Sequence, residues 1–323
     1  MIKVPVVTSD NKIWNHEDVI LNLAKFQSID EIALDLLTEG PCLQDVGLEA
    51  LLDKICDRLQ IDPNRITIYT SNQIKSSHYK ECRTGFAELD YSIRKANSKV
   101  FHACRPTKRF GMFIGRSNWR RLGLAAHLWK YHRSLTCMTF HFDFKNDFHK
   151  DNFGLERLLR EDTDHDSITD FIKHLPIKFD YQQYPILWND TAFDLESKYD
   201  EIFCDVVCET FTHGKTFFMT EKTLRPIVNR KPFVVQGSQW YLKNLRLLGF
   251  KTFNDWWPED YDDDIDGGSL RSIKDCLDYI AGQDQSTIDR WQQEMMSVVQ
   301  HNFNNLCCLT NQRVLTTGFR SPS

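Results

Sequence analysis

Residues 208 to 222 read Cys-Glu-Thr-Phe-Thr-His-Gly-Lys-Thr-Phe-Phe-Met-Thr-Glu-Lys, a run rich in hydroxyls that ends on an acid and a base. It lies between an expected strand, Glu201–Glu209, and an expected helix from Glu221 to Asn229. A helix start placed there turns unpaired N–H groups and the positive end of the helix dipole outward, which suits an anion. Thr220 is the expected N-cap, and Lys222 falls in the first turn. A lysine gains nothing from the dipole at that end, so its charge makes better sense beside a bound diphosphate. Glu221 has the chemistry to accept hydrogen bonds from sugar or ribose hydroxyls. The competing reading is an exposed first turn with Glu221 paired to Arg225 at i+4.

A second basic feature is Arg116-Ser117-Asn118-Trp119-Arg120-Arg121, a strand-to-helix turn carrying three arginines. Guanidinium groups bind phosphate oxygens in pairs, and a leaving diphosphate can be stabilised without a metal by such fixed positive charge. Arg116 and Arg121 are the preferred pair. The alternative is a solvated helix face paired with nearby acids. Transfer from such a diphosphate to a hydroxyl acceptor would also need a general base, normally a carboxylate. Glu39 is the candidate: it follows an apolar strand and precedes Gly40-Pro41, which puts it on a tight turn at the strand's carboxyl end. An ordinary turn acid is the alternative, while Asp35 falls inside the strand.

Three further groups have blander readings. His141, Asp143, Asp147 and His149 contain the elements of a two-histidine, one-carboxylate metal site, but no further partner for an oxygenase is evident, and no metal is assigned. The acidic run Glu259–Asp266 lacks the glycine and terminal glutamate of a calcium loop and reads as a solvated loop. Trp240, Trp256 and Trp257 could stack on a sugar or base, but are assigned to packing.

The segment from Cys208 to about Phe253, CETFTHGKTFFMTEKTLRPIVNRKPFVVQGSQWYLKNLRLLGFKTF, resembles the α-1,3-fucosyltransferase family and, more loosely, inverting glycosyltransferases of the type-B fold. A weaker similarity covers Phe113–Leu128 and includes its Ser117-Asn118 turn. The resemblance implies donor contacts by Asn118, Glu209, Thr220 and Phe218, the last in the aromatic place three residues before Glu221. It further implies that Glu221 binds the donor's sugar or ribose, that Lys222 binds the diphosphate, and that Arg121 is a second clamp. GDP is the nucleotide it favours. A nucleotide-sugar would serve as co-substrate without any further cofactor, and a glycan or other hydroxyl compound would be the acceptor. Pro226 and Thr210-Phe211 depart from the family pattern. A non-catalytic nucleotide- or glycan-binding module, and an enzyme that glycosylates modified nucleic-acid bases, are the alternatives.

These residues need a scaffold, and 323 residues favour two α/β units over one. Apolar β-rich runs at Ile2–Thr8, Ile32–Thr38, Ile66–Thr70 and Val100–Ala103 alternate with a helix at Val46–Leu59, which predicts a parallel sheet. After the basic stretch Arg105–Arg109 the rhythm restarts. Strands are expected at Gly111–Gly115, Met138–Phe144, Glu201–Glu209, Pro232–Gln236 and Phe250–Phe253. Helices are expected at Trp119–His132 and Glu221–Asn229, and from Ser286 to about Phe303. The expected fold is α/β, with two Rossmann-like domains, 1–105 and 106–323, facing a cleft as in the type-B arrangement. The first would be on the acceptor side, and the closing helix could pack back on it. A formal net charge of −5 argues against nucleic acid as the main partner. No stretch reads as a signal peptide or a membrane span, so a cytoplasmic enzyme is expected. The 10 cysteines form no Cys-x-x-Cys pair and read as reduced, buried thiols.

Overall fold

The structure, a computed structural model, describes residues 2–5, 8–9, 12–13, 31–36, 40–75, 77–83, 105–115, 117–141, 155–162, 164–179, 195–212, 214–264 and 270–317. Its first part contains β1 (Ile2–Pro5), a short antiparallel pair β2 (Thr8–Ser9) and β3 (Lys12–Ile13), then β4 (Ile32–Leu36), α1 (Leu48–Leu59), β5 (Ile66–Thr70) and β6 (Lys80–Arg83). Strands β1, β4, β5 and β6 form a parallel sheet in that order. Ile32, Leu34, Leu36, Ile66 and Ile68 are buried against Leu52 and Ile55 of α1, the apolar stripe of that helix. Strand β6 escapes the sequence pattern because its Lys-Glu-Cys-Arg is a half-exposed edge with no apolar alternation. The expected strand Val100–Ala103 lies outside the described residues.

The second part contains β7 (Lys108–Ile114), α2 (Trp119–His132), β8 (Thr136–Phe140), α3 (Leu155–Glu161), α4 (His165–Lys173), α5 (Glu196–Glu201), β9 (Ile202–Cys208), α6 (Glu221–Val228), β10 (Phe233–Gln236), α7 (Tyr241–Leu247), α8 (Leu270–Ala281) and α9 (Gln285–Thr317). Its four strands are again all parallel, in the order β10-β9-β7-β8. Strand β9, Ile-Phe-Cys-Asp-Val-Val-Cys, is buried along its whole length, as an inner strand covered by helices on both faces must be. A separate, larger core surrounds this sheet. Helix α9 contributes Trp291, Met295, Val299, Phe303 and Leu306 to it. Among the described residues the chain is therefore an α/β protein with two four-stranded parallel sheets, each with its own core. No helix among the described residues is long and apolar enough to cross a membrane.

Two expectations are corrected by long-range hydrogen bonds. Phe250–Phe253 is not a strand: the side chain of Asn302 on α9 takes the place of a neighbouring strand. Its Oδ1 accepts from Lys251 N at 2.7 Å and its Nδ2 donates to Lys251 O at 2.9 Å, while Phe253 N donates to Glu259 Oε1 at 2.7 Å. The acidic run is not uniformly solvated either. Asp262 is buried and accepts from Leu242 N at 2.7 Å and Lys243 N at 2.9 Å, satisfying the open N–H groups at the start of α7.

Pro226 sits inside α6 without ending it. Its ring removes only the bond that Lys222 O would have accepted, leaving the helix start to its cap. The carbonyl of Pro226 then helps close the other end, accepting from Lys231 N at 2.9 Å, with Arg230 left-handed at φ 50°.

Candidate functional site

In both sheets the carboxyl ends of the strands lead into one shared region. The loop after β9 crosses from the second sheet to the first. Lys215 N donates to Asp45 Oδ2 at 2.6 Å, Cys42 N to Thr216 Oγ1 at 2.8 Å, Phe217 N to Asn72 Oδ1 at 3.1 Å, and Gln73 N to Phe217 O at 2.8 Å. Ser238, just beyond β10, ties the same loop to its own sheet through a hydroxyl bond to Thr216 O. Gly40, after β4, has room only as glycine: a Cβ there would lie 2.5 Å from Asn72 N and 2.7 Å from Ser71 Oγ. Gly214 is constrained twice, by a φ of 64° and by the Asp45 carboxylate, which a Cβ would overlap. Gly214→Ala is therefore expected to cost about 1–3 kcal/mol. Urea unfolding followed by circular dichroism measures it, and an unchanged midpoint would show that this crossing is not under tension.

Glu209, directly after β9, organises the start of α6. It is buried, and its two oxygens accept from five donors. Oε1 takes Thr223 Oγ1 at 2.5 Å, Tyr241 OH at 3.0 Å and Thr220 N at 3.2 Å; Oε2 takes Thr220 Oγ1 at 2.7 Å and Thr210 N at 3.2 Å. Thr220 caps the helix by accepting from Lys222 N at 3.2 Å. The Lys222 ammonium lies over this turn, 2.7 Å from Glu221 Oε1 and 3.3 Å from both Thr210 Oγ1 and Thr220 Oγ1. Burial alone would raise the Glu221 carboxyl, but the Lys222 ammonium, helped by the Arg225 guanidinium, holds it down to about 2. The first turn is thus partly buried, and the ion partner of Glu221 is its neighbour Lys222.

Arg121 reaches the same turn. Its Nη2 donates to Glu209 O at 2.9 Å and Cys208 O at 3.1 Å, and its backbone N donates to Asn118 Oδ1 at 2.9 Å, the cap of α2. Lys222 and Arg121 therefore meet at residues 208–210, Lys222 on the Thr210 hydroxyl and Arg121 on the Cys208 and Glu209 carbonyls. Arg120 instead stacks on Trp119 at 4.4 Å and donates to Thr212 Oγ1 at 2.8 Å. Behind them, burial pushes the Asp205 carboxyl up to about 6, with Arg225 and the bonded Tyr199 hydroxyl opposing the rise. Phe218 is buried edge-on to Phe211, with ring centres 5.7 Å apart. Glu39 and Arg116 lie outside the described residues, as do Asp143, Asp147 and His149. His141 is buried at the end of β8, its N donating to Ile114 O at 2.9 Å.

Several residues that line this region carry no local sequence signal. Among the described residues, Asn72 Nδ2, Ser117 Oγ and both polar side-chain atoms of Gln236 are buried without a hydrogen-bond partner, and all three residues stand at or just beyond strand ends. Trp257 packs in the core as expected, whereas Trp240 is partly exposed, left-handed at φ 62°, and flanked by ammonium groups of Lys243 at 4.8 Å and Lys215 at 6.0 Å. An aromatic face between two lysines suits a planar or sugar ring with a nearby negative charge. Cys208, beside Glu209, is no nucleophile, since burial pushes its thiol up to about 12.

No protein-family model and no curated protein matches the chain. Among solved structures it is similar to an apo structure of OtsA, with a TM-score of 0.42 and 10% identity, over 94% of this chain and 71% of that one.

Proposed function

We propose that the chain is a glycosyltransferase that takes a nucleotide-diphosphate sugar, a GDP-sugar by preference, and transfers the sugar with inversion to a hydroxyl acceptor. The observation that carries this reading is the turn at 208–210. There the Lys222 ammonium and the capped start of α6 meet the Arg121 guanidinium at the carboxyl end of a parallel sheet, the usual place for ligands in such folds. In the reaction, Lys222 and the open N–H groups of α6 take the diphosphate, and Arg116 is a further contact. Arg121 adds positive charge while fixing the turn. Glu221 receives sugar or ribose hydroxyls. Glu39 removes the proton of the acceptor hydroxyl, whose oxygen attacks the anomeric carbon as the bond to the diphosphate breaks. The negative charge that gathers on the leaving group is met by cations already in place, so no metal is needed in this scheme. The chain divides near residue 105, with the acceptor on the side of residues 1–105.

A second reading, a nucleotide- or glycan-binding module without turnover, is favoured by the use of Arg121 Nη2 on two backbone carbonyls, which leaves Lys222 with more of the ligand's charge. Calorimetry with GDP, UDP and their sugars tests both readings. GDP is expected to bind at about micromolar Kd, near 8 kcal/mol, and more tightly than UDP. No affinity for any of them overturns the enzyme and the nucleotide-binding module, and glycan binding alone would then select a glycan-binding module. Nucleotide released in the presence of an acceptor panel selects the enzyme; binding without release selects the module.

A further inference from the structure

Away from this site, at the other end of α2, three side chains from two helices converge. His127 Nε2 and His132 Nε2 both lie against the same oxygen of Asp278 on α8, at 2.7 and 2.6 Å. The three atoms are all within 4.8 Å of one another, and the imidazole rings are edge-on with centres 5.6 Å apart. The His127 and His132 side chains are only 8% and 15% exposed, whereas Asp278 is 48% exposed. We propose that His127, His132 and Asp278 form a binding site for a zinc-like divalent transition-metal ion. Two imidazole nitrogens and one carboxylate are a donor set for zinc, cobalt, nickel or copper rather than for magnesium or calcium. Ligand atoms bound tetrahedrally at about 2.0–2.1 Å stand about 3.3 Å apart, so the carboxylate must draw back slightly, which a half-exposed side chain can do. Lys274, whose charge acts on His127, is matched by Asp162 at 2.5 Å. The ion would join α2 to α8.

The test titrates the full chain, stripped with EDTA, with zinc chloride by calorimetry and by competition with a chromophoric chelator. One zinc per chain is expected, with a raised melting temperature, and His132→Gln and Asp278→Asn should each weaken binding about tenfold or more. Asp278→Asn keeps an acceptor for both imidazoles, so it decides the matter alone if His132→Gln does not fold. Absence of stoichiometric binding, or equal affinity in the folded variants, overturns the assignment.

Discussion

Replacing Glu209 by alanine is expected to cost about 3–5 kcal/mol, a loss from leaving several buried donors without an acceptor. Five donors converge on this one carboxylate, and all of them belong to the segment that builds the start of α6 or to the tyrosine that backs it. Their losses are not additive, because Thr220 and Thr223 can turn their hydroxyls elsewhere; the backbone N–H groups of Thr210 and Thr220 cannot. Glu209→Gln should be milder, at about 1–3 kcal/mol. Its oxygen can still serve Thr223, Tyr241 and Thr220 N, and its amide can donate to Thr220 Oγ1, but it then faces Thr210 N donor to donor. Chemical unfolding of the two variants gives the order directly. If Glu209→Ala is as stable as the parent, the carboxylate does not organise the turn. Nucleotide binding should fail in the alanine variant under conditions where it remains folded, since the turn positions Lys222.

The strand and helix order was legible because it rests on local pattern. Trp119–His132 is a helix over the expected span, with Asn118 capping it, and Thr220 caps α6 as a threonine before Glu-Lys suggests. What escaped the sequence is what depends on a partner distant along the chain. Asn302 supplies to Lys251 the two hydrogen bonds that a neighbouring strand would otherwise give, so this short run stays outside the described sheets. Asp262 looks like one acid among many until Leu242 and Lys243 present their N–H groups to it. The same holds for function. The Glu221–Lys222 pair stands out in the sequence, but Asn72 and Thr216, which join the two sheets beside it, are ordinary polar residues there. His127 and His132, five residues apart, do not share a face of a regular helix, and nothing local brings in Asp278.

Lys222→Met keeps the apolar stem and removes the charge, and two separate consequences are expected. The first is on the ligand: a charge-assisted contact to phosphate contributes about 1.5–3 kcal/mol, so GDP affinity should fall by roughly tenfold to a hundredfold, while Lys222→Arg should lose less. The second is on the protein. The Glu221 carboxyl, held at about 2 against an ordinary 4.5, binds fewer protons in the folded state than in the unfolded state between those values. It therefore contributes stability that is complete above about pH 4.5 and is lost as pH falls toward 2. Without the Lys222 ammonium, burial is opposed only by Arg225 and the Glu221 backbone N–H, and the carboxyl rises, so the variant should lose part of that acid-dependent stability and unfold less steeply with falling pH. Calorimetric titration with GDP and unfolding midpoints from pH 6 to 2 read the two effects independently. A loss of the acid limb with GDP affinity unchanged would make Lys222 a partner of Glu221 alone and remove the diphosphate from this turn. Loss of both ties the ion pair and the ligand to one ammonium group, which then passes from carboxylate to diphosphate when the donor binds.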